Sequence, residues 1–279
     1  MLVYRTFKEL RKFLDQKTSE GLSVGFVATM GALHHGHVSL VEKSNQECDI
    51  TVVSIFVNPT QFNAAEDLEK YPRTEKEDLA MLKASGTHVV IMPSVEEVYP
   101  PDLVTPEVDL KGLDVLMEGE FRPGHFAGVV QVVGRFFDQI EPNRAYFGEK
   151  DFQQLLVIQE MAQVLNSPVE VVGCDILREN SGLAMSSRNL RLSQKAIENA
   201  TIVIEQLNWI KDNFQGESVE YLKSQVANAF HKKPDFELEY LEIVTAHDLK
   251  PVQKYEPNSR AFMAAIVEGV RLIDNISIS

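Results

Sequence analysis

Short apolar runs recur through the first part of the chain, separated by amphipathic stretches. The runs are rich in β-branched residues and almost continuously apolar, which is typical of strands buried on both faces of a parallel sheet. They span Leu22 to Met30, Ile50 to Val57, Thr87 to Met92 and Val169 to Ile176. Strands alternating with helices predict an α/β fold with a Rossmann-like, doubly wound parallel sheet, where ligands bind beyond the carboxyl ends of the strands.

The stretches between these runs have helical periodicity. The N-terminal stretch places three apolar residues at helical spacing among charges, namely Phe7, Leu10 and Leu14. The segment from Thr74 to Ala84 is also predicted to be a helix. Thr74 with Glu77 three residues later has the pattern of a capping box at its start.

The pattern changes after about residue 190. A long helix is predicted from Ser193 to Phe214 and a second near Ser218 to Phe230. Apolar and acidic residues alternate from Phe236 to Thr245 as in a strand, and Ala261 to Asp274 has the pattern of a strand pair. We therefore predict two domains: residues 1–176 form a Rossmann-like α/β domain, and residues 177–279 form a smaller α+β domain.

Charge and cysteine usage narrow the class of protein. The 279 residues include 27 basic and 41 acidic ones, for a net charge of −14, which argues against general affinity for nucleic acid. The two cysteines, Cys48 and Cys174, belong to no metal-binding or disulfide pattern. Neither a signal peptide nor a run of membrane-spanning length is evident, so we expect a cytoplasmic protein without membrane association.

The segment TMGALHHGH, from Thr29 to His37, follows a predicted buried strand and precedes a helix. Gly31 and Gly36 permit a tight turn, and the N–H groups of a helix start can bind an anion. His34 and His37 can donate to phosphate oxygens. Their spacing also resembles a metal-binding pair, although no third ligand is obvious nearby. Phosphate binding is favoured, with metal binding and a purely structural role as alternatives.

Two further motifs follow predicted strands. FVNPTQF places the amides of Asn58 and Gln61 where a sheet presents groups to ligand, and such amides suit a substrate with hydroxyls and a carboxylate. A turn made by Asn-Pro explains the motif equally well. YFGEKDFQQ offers Lys150 for phosphate, and Gln154 lies one turn beyond it. A lysine here is alternatively a solvated surface charge.

The remaining candidates lie in loops. AMSSRN offers Ser186, Ser187 and the forked cation of Arg188 for phosphate, or is a polar linker between domains. EGEFRPGHFAGVV adds Arg122 and His125, for which ligand contact and ordinary loop chemistry are equally plausible. The acidic stretch from Glu66 to Asp78 is either a solvated face or a place where carboxylates approach magnesium held by substrate phosphates.

Several kinds of catalytic site are missing from the sequence. It has no GxSxG elbow, no GxxxxGK[ST] loop and no cysteine with an evident base. The motifs at strand ends instead combine phosphate-binding groups with uncharged amides. Together they indicate chemistry at the phosphates of a nucleotide rather than at a protein nucleophile.

In this order and spacing, TMGALHHGH, FVNPTQF, FRPGHFAGVV, FGEKDFQQ and MSSRN resemble the pantothenate synthetase family, the pantoate–β-alanine ligases. The family belongs to the HxGH nucleotidyltransferase superfamily. It usually has Glu where this chain has His35, so that position departs from the pattern. The resemblance covers nearly the whole chain. It implies that (R)-pantoate attacks the α-phosphorus of ATP to give pantoyl adenylate and pyrophosphate, and that β-alanine then gives pantothenate and AMP.

The resemblance also implies roles for individual residues. Catalytic roles fall to His37, the usual proton donor, and to His34, Lys150, Ser186 and Arg188. The ATP site would comprise Met30, Gly31, His34, His37, Gly148, Glu149, Lys150, Asp151, Leu177, Met185, Ser186, Ser187 and Arg188. Gln61, Gln154, Asn58 and Arg122 would bind the other substrates. Magnesium would arrive with ATP, helped by Glu77 or Asp78, with no organic cofactor. A homodimer and a C-terminal lid are also expected.

Two other functions are compatible with the phosphate-binding motifs. A nucleotidylyltransferase would keep AMP on a dinucleotide product, but FVNPTQF and FGEKDFQQ suit a small hydroxy acid better. A non-catalytic nucleotide sensor could retain the fold, but His34, His37, Lys150 and Arg188 are all present. The ligase is the preferred prediction.

Overall fold

The structure, a computed structural model, describes residues 1–63 and 65–278. By its internal contacts the chain forms two compact units. The first comprises residues 1–149 and 153–175, and the second comprises residues 150–152 and 176–279.

A six-stranded, wholly parallel sheet organises the first unit. Its strands are β1 (Leu2–Tyr4), β2 (Val24–Thr29), β3 (Ile50–Ile55), β4 (Val89–Ile91), β5 (Arg144–Gly148) and β6 (Glu170–Cys174). The order β1-β4-β3-β2-β5-β6 confirms the predicted Rossmann-like sheet. The edge strand β1 carries no alternating pattern of useful length and was not expected from the sequence.

The described part of the first unit contains eight helices. They are α1 (Phe7–Ser19), α2 (His35–Glu47), α3 (Ala65–Lys70), α4 (Glu75–Ala84), α5 (Val95–Val98), α6 (Glu118–Phe121), α7 (His125–Ile140) and α8 (Phe152–Val164). The last of them, α8, begins at Phe152, which belongs to the second unit, and its other residues belong to the first. The apolar positions predicted to form the buried face of α1, Phe7, Leu10 and Leu14, are all buried. Helix α4 exists as predicted, but the capping box does not. Thr74 makes no cap, and its hydroxyl donates to the Asp78 carboxylate at 3.2 Å.

Three antiparallel strands and three helices form the second unit's core. The helices are α9 (Gln194–Asn199), α10 (Thr201–Asn213) and α11 (Val219–His231), and the strands are β7 (Phe236–Thr245), β8 (Ser259–Val267) and β9 (Val270–Ser277). The predicted strand pair is β8 and β9, joined by a turn through Glu268 and Gly269. The single long helix predicted from Ser193 is instead two helices that break at Ala200, which is fully buried.

The division of the chain differs from the predicted one in two respects. The second unit begins at Ile176, one residue earlier than predicted, and residues 150–152 also belong to it, although they lie well before residue 177. The cause is a set of contacts with the second unit's strands: the Lys150 carbonyl accepts a hydrogen bond from Asn275, and the Phe152 ring packs on Phe262. Among the described residues, no helix combines the length and apolarity needed to cross a membrane.

Candidate active site

Three loops that carry predicted site residues start from one edge of the six-stranded sheet. The chain adds β3 and β4 on one side of β2 and then β5 and β6 on the other, so the strand order reverses between β2 and β5. Thr29 pairs with Ile55 and Val27 with Tyr146, which brings the carboxyl ends of β2, β3 and β5 together. Doubly wound sheets bind ligands at this switch point.

The loop after β2 is held by a buried carboxylate. Gly31 and Ala32 both have positive φ, 77° and 48°, and successive left-handed residues direct neighbouring N–H groups to one side. Asp78 of α4 receives them: Ala32 N–H donates to Oδ2 at 3.0 Å and Leu33 N–H to Oδ1 at 2.8 Å. A Cβ on Gly31 would lie 3.0 Å from the same carboxylate, so the turn requires glycine there.

His34 and His37 cap the start of α2 reciprocally. Gly36 N–H donates to Nδ1 of His34 at 3.1 Å, and His34 N–H donates to Nδ1 of His37 at 3.3 Å. The ring centroids are 4.1 Å apart. An accepting nitrogen carries no proton, so each neutral ring has its proton on Nε2. The adjacent His35 is exposed.

This arrangement changes how the helix start can bind an anion. The sequence suggested free backbone amides at this end, but Gly36 N–H is bonded to the His34 ring and His37 N–H to the His34 carbonyl at 2.8 Å. The backbone N–H groups of Gly36 and His37 are therefore already bonded within the helix start.

Gln61 follows β3 and has its amide oriented by Asn58. Nδ2 of Asn58 donates to Oε1 of Gln61 at 3.1 Å, which turns the Gln61 NH₂ group toward Met30, whose sulfur lies 3.2 Å from Nε2. Asn58 is buried and also donates to the Gly128 carbonyl, while its Oδ1 accepts from the Tyr99 hydroxyl at 2.7 Å. Burial raises the pKa of Tyr99, so its hydroxyl stays a donor.

Arg122 and His125 hold the backbone of Gln61. Its carbonyl accepts from the Arg122 guanidinium at 3.3 Å and lies 3.0 Å from Nδ1 of His125. Since a carbonyl cannot donate, His125 carries its proton on Nδ1, and its Nε2 accepts from Arg122 at 3.2 Å. Arg122 also pairs with Glu118 at 3.4 Å. Arg122 therefore contacts the backbone of Gln61 and helps to hold that residue in position.

The predicted phosphate-binding residues of the second unit lie on two segments. The Lys150 ammonium is 3.5 Å from the Asp151 carboxylate. The second segment begins with a hairpin in which Met185 N–H donates to the Leu177 carbonyl at 3.0 Å and Arg178 bridges to Ala184. It continues into a 3₁₀ turn, Ser187–Arg191, that Ser186 caps by accepting from Arg188 N–H at 3.3 Å.

Three other predicted residues lie in the first unit. Gly148 ends β5, and Glu149 follows it at the start of a 3₁₀ turn, still in the first unit. Gln154 is half-buried on α8, and its amide has no hydrogen-bond partner within residues 1–63 and 65–278, whereas its neighbour Gln153 is buried and donates to the Leu116 carbonyl at 2.8 Å. Of the two adjacent glutamines, Gln154 is therefore the one whose amide has capacity for a ligand.

Glu77 and Asp78, predicted to help with magnesium, have different surroundings. Both oxygens of Asp78 accept backbone N–H groups, and Glu77 is exposed on α4. Within the described ranges, no group of three or more His, Cys, Asp or Glu side chains is arranged for a metal ion. A magnesium ion that enters with ATP can take its ligands from the nucleotide's phosphates and water.

Some contacts of this site carry no sequence signal. Tyr99 reaches Asn58 across 41 positions, and Asp78 reaches Leu33 across 45. Tyr99 belongs to no recognisable motif, and Asp78 was singled out for magnesium and not for a backbone contact, because the partner of a buried polar group is set by packing of distant elements.

The parallel sheet, its switch point and the paired imidazoles define a Rossmann-like α/β protein with a candidate site for an anionic ligand. Comparison with known proteins narrows this class. The family model described as Pantoate-beta-alanine ligase matches residues 2–277, so the chain belongs to the pantoate–β-alanine ligase family. This confirms the resemblance inferred from the five motifs.

Proteins of this family are similar to the chain over nearly their full length. Pantothenate synthetase from Christiangramia forsetii is 45% identical and that from Bacteroides thetaiotaomicron 47%, with at least 98% of each chain covered. The crystal structure of pantothenate synthetase from Thermus thermophilus has a TM-score of 0.93 at 41% identity, covering 100% of this chain and 99% of that one. Pantoate-beta-alanine ligase from Francisella tularensis, complexed with beta-gamma ATP and β-alanine, has a TM-score of 0.81 at 33% identity, covering 100% and 98%.

Proposed function

We propose that this chain catalyses the ATP-dependent ligation of (R)-pantoate and β-alanine to pantothenate. In the first step a pantoate carboxylate oxygen bonds to the α-phosphorus of ATP, and the bond to the bridging oxygen breaks to release pyrophosphate. In the second step the β-alanine amine attacks the acyl carbon of pantoyl adenylate, loses a proton and expels AMP. Family membership supports this reaction. In the chain itself, the main supporting observation is the reciprocal capping of His34 and His37.

His34 and His37 are proposed to bind the phosphates of ATP through Nε2–H. Because backbone amides hold both Nδ1 atoms, the donors point in a set direction before ligand arrives, which lowers the reorganisation needed as charge develops on the phosphate. His37 is assigned the proton-donor role. Met30 and Gly31 of the same loop, with Gly148 and Glu149, would line the nucleotide.

The second unit is proposed to supply the remaining nucleotide contacts. Lys150 and Arg188 provide cations for phosphate, and Ser186 and Ser187 provide hydroxyls. Asp151, Leu177 and Met185 complete this group, with the Leu177 backbone assigned to adenine. The reaction has good leaving groups in both steps, so positioning and charge stabilisation account for most of what the protein must do.

Gln61 and Gln154 are proposed to bind pantoate, and Gln61 also to help place β-alanine. The Gln61 NH₂ group is oriented by Asn58, and the Gln154 amide has hydrogen-bonding capacity for a ligand. Asn58 and Arg122 act through Gln61 in this proposal, because their own polar groups are engaged with the protein.

The proposed assembly is a homodimer in the cytoplasm, with magnesium entering as the ATP complex and supplying charge neutralisation at the phosphates. The resemblance to the family supports the dimer, and the cysteine usage supports the compartment. Light scattering of the purified chain measures the oligomeric state directly, and a monomer at working concentration would reject that part.

Product analysis tests the function. The purified chain is incubated with ATP, magnesium and (R)-pantoate, with and without β-alanine, and nucleotides are separated by chromatography. We expect pyrophosphate to form with pantoate and free AMP to be released catalytically only when β-alanine is present. AMP retained in a stable dinucleotide would instead identify a nucleotidylyltransferase. ATP binding without turnover would identify a nucleotide sensor.

A further inference from the structure

Two adjacent residues of β9 reach both nucleotide-site segments of the second unit. Asp274 and Asn275 are only 4% and 1% exposed, and neither belongs to any of the five site motifs. Asp274 contacts the hairpin that starts at Leu177, and Asn275 contacts the backbone of Lys150. One strand therefore connects the two segments.

Asp274 forms a forked ion pair with Arg178. The guanidinium donates from Nη1 to Oδ2 at 2.6 Å and from Nη2 to Oδ1 at 3.0 Å, a geometry that fixes orientation as well as distance. Nη1 of Arg178 also donates to the Gly182 carbonyl at 3.1 Å. Arg178 thereby ties the two strands of the hairpin together between Leu177 and Met185.

Asn275 holds the backbone before α8. Its Nδ2 donates to the Lys150 carbonyl at 3.0 Å, and its Oδ1 accepts from the guanidinium of Arg260. That guanidinium lies 3.8 Å from the centre of the Phe152 ring. The carbonyl of Lys150 and the ring two residues later are thus held by one connected group of side chains.

The connection between the two contacts is itself rigid. Asn275 N–H donates to Oδ1 of Asp274 at 2.8 Å, and Asp274 and Asn275 pair with Met263 and Phe262 in the middle of β8. A buried ion pair is weak evidence for stability, since apolar residues of similar volume commonly stabilise a fold as well. Burying a carboxylate and an amide here is better explained by the two segments that they orient.

We propose that Asp274 and Asn275 are positioning residues that hold Lys150 and the segment from Leu177 to Arg188 in one fixed arrangement for ATP. This rests on the proposed function for the roles of those segments. Neither residue touches substrate in this proposal. Their loss weakens ATP binding because the Lys150 ammonium and the hairpin then sample separate orientations, whereas pantoate contacts in the first unit are unchanged.

The test compares Asp274→Asn and Asn275→Ala with the unaltered chain. Binding of a non-hydrolysable ATP analogue is measured by calorimetry without pantoate, and steady-state KM values are measured for ATP and pantoate. We expect the analogue Kd and the ATP KM to rise on the order of tenfold, the size expected for one lost oriented contact. The pantoate KM should change by less than about twofold.

Glu239→Gln is the matched control. It breaks another ion pair of the same sheet, in which Arg271 of β9 contacts Glu239 of β7 at 2.6 Å with comparable exposure of the arginine. We expect it to lower the thermal midpoint without changing the analogue Kd. Arg178→Lys, which keeps the charge but loses the fork, replaces Asp274→Asn if that variant does not fold.

The outcomes separate this proposal from the proposed function. An unchanged analogue Kd in Asp274→Asn and Asn275→Ala, with a thermal shift like that of Glu239→Gln, would assign the pair to stability alone and overturn the proposal. Weaker analogue binding supports it even if the unaltered chain makes no pantothenate, which would reject only the reaction. Failure of the unaltered chain to bind the analogue would reject both.

Discussion

The carboxylate of Asp78 accepts a hydrogen bond from the backbone N–H of Leu33 at 2.8 Å, across 45 residues of sequence. With the Ala32 N–H on its other oxygen, Asp78 determines the shape of the loop that ends at His34. The acidic stretch that suggested metal ligands therefore contains a residue whose oxygens are committed to backbone.

Asp78→Asn replaces one accepting oxygen with a donor and leaves a buried N–H without its partner. We expect the free energy of unfolding to fall by about 1–3 kcal/mol and the kcat/KM for ATP to fall with it. Urea denaturation and steady-state kinetics measure the two effects. Glu77→Gln, at the exposed neighbouring carboxylate, is the control and should change stability by less than about 0.5 kcal/mol.

A magnesium titration distinguishes positioning from metal binding in the same variants. If Asp78 shapes the loop, saturating magnesium does not restore the activity of Asp78→Asn. Recovery of activity at high magnesium, in either Asp78→Asn or Glu77→Gln, would contradict the positioning role. It would instead support that carboxylate as a magnesium ligand.

His37 combines a capping acceptor with a proposed phosphate donor, and two substitutions separate them. In His37→Asn the side-chain oxygen takes the place of Nδ1 and the Nε2 donor is lost. We expect turnover to fall by a factor equivalent to about 3 kcal/mol, with stability nearly unchanged. In His37→Ala both are lost, so stability falls as well, by about 1 kcal/mol for the cap.

His37→Gln completes this comparison, because its terminal nitrogen takes the place of Nε2. It should recover part of the turnover that His37→Asn loses. Near-normal turnover in His37→Asn, measured as AMP release with both substrates, would refute the assigned role of Nε2.

At Gly128 the backbone of α7 lies close to the turn that carries Gln61. A Cβ there would lie 2.6 Å from the Thr60 carbonyl oxygen and 2.8 Å from the Gln61 nitrogen, and backbone atoms cannot move aside cheaply. Gly128→Ala should cost about 1–3 kcal/mol of stability and raise the pantoate KM. Denaturation and kinetics at varied pantoate check this.

Gly134 supplies the control on the same helix. A Cβ at that position meets only the sulfur of Met161 at 3.7 Å, an ordinary contact. Gly134→Ala should therefore stabilise the protein by up to about 1 kcal/mol through helix propensity and leave the pantoate KM unchanged. Equal behaviour of the two variants would show that the contact with Thr60 has no influence on Gln61.

Cys174 ends β6 in a buried position, and burial raises the pKa of its thiol to about 11. Only about one thiol in a thousand is ionised at a pH near 8, and the thiolate is the reactive form. We expect alkylation of Cys174, followed by mass spectrometry, to be slower in the native protein than in urea by a factor of at least about a hundred. The native rate should increase as the pH approaches 11. Rapid native labelling at a pH near 8 would contradict this environment.

Sequence patterns located most of the fold because its signals are local. The strands β2, β3 and β4 are buried along almost their whole length and mainly apolar, and the alternation in β7 is visible within ten residues. The edge strand β6 was also located, although Glu170 is exposed and the next three residues are only half-buried, so it is not buried on both faces as predicted. The break at Ala200 was missed because the flanking residues continue a helical pattern, and burial of one small side chain leaves no trace in that pattern. β1 was missed because three residues are too few to show a period.

The site was predictable in composition and much less so in geometry. The sequence by itself determined which residues follow each strand of the sheet: two histidines after β2, an asparagine and a glutamine after β3, and a lysine after β5. Apolar periodicity and motif spacing are enough for that, because both depend only on neighbours along the chain. The same motifs identified the family.

Only the tertiary structure decided what these side chains do. In the folded chain Asp78 accepts a hydrogen bond from the Leu33 backbone, and Asn58 orients the Gln61 amide. Asn275 links Lys150 to a strand 125 residues later. The physical reason is that a buried polar group must be paired, and its partner is whichever group packing brings within hydrogen-bonding distance. Sequence spacing does not contain that distance.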